Sequence, residues 1–124
     1  MGEPVALDEL RDALVDYVER ANASSEVARV LSDWSCRIHV EAVDLPGAQF
    51  TLAVEKGRPA DLADGFAGVA DLVVRGPGLN LAEVFWGDVN PAAEYLQGAI
   101  TTQGSLHDVF RLDAMAMIIF DEQS

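Results

Sequence analysis

Apolar residues recur along the chain in three different rhythms. Leu7, Leu10, Leu14, Tyr17, Val18 and Ala21 return every three or four positions, with Asp8, Glu9, Arg11, Asp12, Asp16, Glu19 and Arg20 between them. That spacing predicts an amphipathic helix with one buried face. Acidic residues in its first turn suit the helix dipole, and Asp16 and Arg20 are spaced to pair across one turn. After Asn-Ala-Ser-Ser, a short second helix carries Val27, Val30, Leu31 and Trp34 on one face, with either serine able to cap it. From Cys36 the period becomes two. Cys36, Ile38, Val40 and Ala42 alternate with Arg37, His39, Glu41 and Val43, then Asp-Leu-Pro-Gly turns the chain, and Phe50, Leu52 and Val54 alternate again up to Lys56-Gly57. This predicts an antiparallel hairpin.

Gly-Arg-Pro-Ala-Asp-Leu-Ala-Asp-Gly holds a weaker third strand, confined by Pro59 to an edge or a strand start. Val-Ala-Asp-Leu-Val-Val-Arg-Gly is a fourth strand, apolar on both faces, and predicts cover on both sides. A short helix with Leu81, Val84 and Phe85 inward then ends at Gly87. Asn90-Pro91 opens another, which Gly98 ends. Ala-Ile-Thr-Thr-Gln is a fifth strand. Gly104 lets the chain exit, and Ser105 with Asp108 caps a last helix from Leu106 to about Phe120. The order α α β β β β α α β α, with neither repeat nor linker, predicts a single α+β domain over residues 1–124, built on one five-stranded sheet.

The last helix is the most informative element. Its first half sets Leu106, Val109, Phe110 and Leu112 against His107, Asp108, Arg111 and Asp113. Its second half, Ala-Met-Ala-Met-Ile-Ile-Phe, is apolar all round and needs cover all round. Ordinary core, the wall of an apolar cavity and a contact with a second subunit all satisfy that need. Two methionines fit the second option, because flexible thioethers line adaptable surfaces.

Charge narrows the partners. The formal net charge of −13 repels nucleic acid and anionic membranes. The start of the chain has no signal-peptide pattern, and the longest apolar run, Ala114 to Phe120, is far below a membrane span. One cysteine, Cys36, excludes an intrachain disulfide and fits a reducing compartment. The expectation is a cytoplasmic protein without stable membrane insertion; few lysines and many alanines, aspartates and valines associate it with a GC-rich bacterial source.

Candidate chemistry is sparse. His39 and His107 lack ligand-spaced neighbours and read as solvated, so no metal or other cofactor is expected. Cys36 reads as a small buried hydrophobe. Asp71, inside an apolar strand, is either a sheet-face residue meeting solvent or a backbone donor, or a carboxylate with a raised pKa able to act as a base.

From Ala70 to Leu112 the chain resembles the sterol carrier protein type 2 domain. Ala70-Asp71 opens a strand, Gly87 ends a helix, Asn90-Pro91 follows, Gly98 comes seven after the proline, Gly104 ends a strand, and Arg111-Leu112 sits in the final helix. The upstream hairpin and the first two helices fit the same layout more loosely. The resemblance implies a five-stranded, mostly antiparallel sheet covered by helices, with an apolar tunnel between them that takes sterols, fatty acids or acyl-CoA thioesters, and no catalysis by the domain. It places Phe85, Trp86, Tyr95, Leu96, Ile100, Val109, Leu112 and Met115 along that tunnel. Three features depart from the family. The chain ends Asp-Glu-Gln-Ser instead of in a peroxisomal signal, its charge opposes membranes and the CoA polyanion, and Glu94 stands where a small residue is usual.

The expected function is non-enzymatic binding and carriage of an apolar ligand, with a homodimer or a partner enzyme left open. Two alternatives stand beside it. One is a ketosteroid-isomerase-type cone enzyme using Asp71, Tyr95 or a histidine, which the terminal helix argues against. The other is a dimerisation or interaction module without ligand, contacting through the last helix.

Overall fold

The computed structural model describes residues 7–86 and 98–122. Helix α1 (Leu7–Ala23) buries Leu10, Ala13, Leu14, Tyr17 and Ala21, the stripe its periodicity predicts. The Asp16–Arg20 pair forms at 2.9 Å. Helix α2 (Ser25–Val30) is capped by Ser24, whose Oγ accepts from Val27 N–H. Its inward face is narrower than the spacing predicts: Val27, Leu31 and Trp34 are buried, whereas Val30 is exposed at the helix end.

Strands β1 (Cys36–Ala42), β2 (Gln49–Glu55), β3 (Arg58–Asp64), β4 (Leu72–Gly76) and β5 (Thr101–Gly104) form one sheet in the order β3-β2-β1-β4-β5. β1 pairs antiparallel with β2, placing Ile38 opposite Leu52 and Val40 opposite Phe50. β2–β3 and β4–β5 are also antiparallel, and β1–β4 is parallel, so the sheet is mixed with antiparallel pairs in the majority. β3 is an edge strand, the place Pro59 permits, and its register shifts beside that proline.

Register sorts the side chains onto two faces. Ile38, Val40, Phe50, Leu52, Leu72 and Val74 share one face, all buried beneath α1, α3 (Gly78–Trp86) and α4 (Leu106–Glu122). The opposite face carries Arg37, His39, Glu41, Thr51, Val73 and Arg75. Here β4 departs from expectation. Among the described residues no helix covers its second face; Val73 is half-buried, and Arg75 is exposed and paired with Glu41 at 2.9 Å. The strand also begins later than its apolar run, because Val69 and Ala70 belong to the preceding connection.

That connection explains the residual burial. β2 and β1 lie between β3 and β4, so residues 65–71 must cross both strands. Thr51 Oγ1 donates to Gly65 O at 2.7 Å and accepts from Ala67 N–H at 2.8 Å. The Phe66 ring stacks on His39, with centroids 4.3 Å apart and planes 8° from parallel. His39 Nε2–H donates to Ala67 O at 3.2 Å. His39 is therefore buried under this strap, not solvated as its alternation predicts.

Candidate functional site

The candidate site is the layer between the helices and the inner sheet face. Phe85, one turn beyond Leu81 on the inward side of α3, meets Tyr17 of α1 edge-to-face at 5.0 Å. This arrangement adds a specific attraction to the area both rings bury. Ile100 reaches the layer because the chain before β5 passes close over the end of β4. A Cβ on Gly76 would stand 2.9 Å from Ala99 O and 3.1 Å from Ile100 Cγ1, so glycine permits the crossing. Leu112 and Met115 enter from α4 on successive inward turns, with Ala116 and Ile119 beside them. Ser105 starts that helix as predicted: its Oγ accepts from Asp108 N–H and its hydroxyl donates to the Asp108 carboxylate, both at 3.1 Å.

Phe85, Ile100, Leu112 and Met115 thus meet in one buried apolar cluster, and Val109 packs half-buried at its margin. The side chain of Trp86 and residues Tyr95 and Leu96 lie outside the described residues, as do the predicted stop at Gly87 and start at Asn90-Pro91. Two hollows formed by described residues lie away from this cluster. One of about 280 Å³ is lined by Arg20, Ala23, Ser24, Ile119 and Glu122, and another of about 370 Å³ lies on the outer face beside Val69 and Asp71.

Pattern reading missed one polar group at the margin of this layer. Asp113 is half-buried, its Oδ1 is enclosed without a hydrogen-bond partner, and burial pushes its carboxyl up from the usual range. Val109, Ala116 and Met117 are its neighbours one turn away, so it stands on an apolar flank of α4. The amphipathic pattern assigns it to the solvated side because aspartate ordinarily belongs there.

The candidate reactive groups are quiet. The Cys36 thiol is pushed up to about 12, first by burial and then by the Asp108 and Asp71 carboxylates, which removes the thiolate at neutral pH. Asp71 is exposed and serves the backbone: its Oδ2 accepts from Arg37 N–H at 2.9 Å while its own N–H donates to Arg37 O at 2.8 Å. Of its two sequence readings, the backbone-bonded one holds. Among the described residues no group of three His, Cys, Asp or Glu side chains is placed to hold a metal, and no helix is long and apolar enough to cross a membrane.

The five-stranded mixed sheet, with the described helices packed over one face, has the fold of sterol carrier protein 2 as seen in solved structures. A sterol carrier protein 2 crystal structure superposes with a TM-score of 0.65 at 16% identity, covering 88% of this chain and 94% of its own. Sterol carrier protein domain 2 of Helicoverpa armigera gives 0.67 at 14% identity, over 97% of this chain and 96% of its own. Palmitated SCP2L2 from Aedes aegypti gives 0.55 at 13% identity, over 82% and 91%. No protein-family model matches the sequence, and no curated protein matches it.

Proposed function

We propose that this protein, acting as one domain over residues 1–124, is a non-enzymatic carrier of a single apolar ligand. The observation that carries this reading is the sterol carrier fold, matched over nearly the full length of both chains. The site we assign to the ligand is the layer of Phe85, Ile100, Val109, Leu112 and Met115, and the family resemblance alone adds Trp86, Tyr95 and Leu96 to it. Burial of ligand surface drives binding at about 25 cal/mol per Å², and an apolar site with few polar groups suits such a ligand.

Charge chooses within the ligand class. At −13 the protein disfavours the CoA polyanion, so sterols, related uncharged lipids and free fatty acids fit better than acyl-CoA. The palmitated state of one structural neighbour supports an acyl chain as a ligand of this fold. A cytoplasmic location goes with this reading, since a single cysteine forms no intrachain disulfide and fits a reducing compartment.

Native mass spectrometry of the purified protein is expected to show one co-purified lipid, or one bound after titration with palmitate or cholesterol, with a change in tryptophan emission. Absence of any bound lipid together with unchanged emission across a sterol and fatty-acid panel overturns the carrier reading.

A further inference from the structure

Leu106 and Phe110 belong, by sequence pattern, to the buried side of α4. The structure leaves them 70% and 64% exposed. The helix is rotated so that Leu112, Met115, Ala116 and Ile119 face the core, which turns Leu106 and Phe110 outward. Met117 and Ala114, both half-buried, continue the same side at helical spacing. The result is a straight apolar ridge along α4, while the apolar second half, expected to need cover all round, is largely packed.

This ridge is held in place. Trp34 Nε1–H donates to Asp108 Oδ1 at 3.0 Å near the start of the helix, and the Ser24 hydroxyl donates to Glu122 Oε1 at 2.6 Å at its end. Arg111 lies 3.8 Å from Asp33 between them. Two large apolar side chains on a helix pinned at both ends form a pre-ordered surface, which lowers the entropic cost of docking. Exposed apolar patches of this kind mark contact sites.

Charge decides what covers it. Half-buried Asp113 and exposed Asp121 border the ridge, and α4 carries Asp108, Asp113, Asp121 and Glu122 against the single guanidinium of Arg111. A second copy would bring another −13 to the contact, and an anionic bilayer would meet the same repulsion. An apolar face bordered by lysine or arginine is attracted at the rim and buries the ridge at the centre.

We propose that the Leu106–Phe110 ridge of α4 is a docking surface for a protein partner that presents an apolar helix face flanked by basic residues. With two main anchors the interface is small, in the range of transient contacts. The inference stands independently of the ligand reading.

The probe is a fluorescently labelled 18-residue amphipathic helix of leucine and lysine, with a leucine–glutamate counterpart as control. Anisotropy titration is expected to show micromolar binding of the lysine peptide, weakened at least tenfold by L106S/F110S and by 0.5 M NaCl, with no binding of the glutamate peptide. Substitution of exposed Val43 by serine is expected to leave binding unchanged. Both variants change only exposed side chains, and circular dichroism checks their folding. Equal binding by wild type and L106S/F110S, or no binding by wild type, overturns the proposal. So does wild-type dimerisation in sedimentation that the double variant abolishes, which makes the occupant a second copy. Flotation with phosphatidylcholine vesicles that the double variant loses overturns it in favour of a lipid surface.

Discussion

Trp34 Nε1–H donates to Asp108 Oδ1 at 3.0 Å, joining the chain just before β1 to the first turn of α4 across 74 residues of sequence. The indole is buried, and the carboxylate is held from its other oxygen by the Ser105 hydroxyl. A hydrogen bond to a charged group contributes about 1.5–3 kcal/mol. W34F keeps most of the packing and removes the donor, so urea unfolding is expected to show a loss in that range. The variant leaves Trp86 as the sole tryptophan, and its emission then reports ligand titrations from one position.

Thr51 bonds twice to the strap over the outer sheet face. T51V conserves shape but deprives Ala67 N–H and Gly65 O of their partner. The expected cost is about 1–3 kcal/mol. Hydrogen exchange separates this from a general loss: the Ala67 amide should exchange faster relative to the amides of β1 and β2 than it does in the wild type.

Gly57 closes the β2–β3 turn at φ +78°, and its N–H donates to Trp34 O at 2.8 Å. A Cβ there would run into the Leu31 carbonyl. G57A therefore combines a left-handed conformation with a backbone clash, and it is expected to destabilise by about 2 kcal/mol or more. A midpoint in urea equal to that of the wild type would refute this account of the turn.

Burial raises the Asp113 carboxyl, so the folded protein binds that proton more tightly than the unfolded chain does. Stability from this group is fully present below the ordinary carboxylate pKa of about 3.9 and is lost as pH rises through the raised folded value. D113N removes the cost of holding a half-buried charge. The variant is expected to melt about 1–3 °C higher than the wild type at pH 7, a modest gain because part of the carboxyl faces solvent. The gap should close as pH falls towards 4. A gap that stays constant with pH would show that the charge is not its cause.

Much of the fold was legible because the elements carry clean periods. Leu10, Leu14, Tyr17 and Ala21 recur at helical spacing and are buried together; Ile38, Val40, Phe50 and Leu52 alternate and share one sheet face. Pro59 marked an edge strand, and Ser105 marked a helix start, because each rests on local backbone chemistry. The resemblance to sterol carrier proteins, resting on turn residues from Ala70 to Leu112, anticipated the sheet and the described helices. Of the anticipated site, Phe85, Ile100, Leu112 and Met115 come together in one cluster, with Val109 at its margin.

What local pattern could not supply is which stretch of a face finds cover. His39 alternates as an outward residue, yet the crossing from β3 to β4 lays Phe66 upon it; that follows from strand order, which no single strand encodes. Leu106 and Phe110 belong to an apolar helical stripe, but α4 meets the core through Leu112, Met115 and Ile119 and leaves those two outside. By itself the sequence determined the elements, their apolar faces and the acidic charge, since these depend on neighbours within a few residues. Only the tertiary structure decided which apolar side chains are covered and which face outward, because burial is settled by distant segments competing for the same surface.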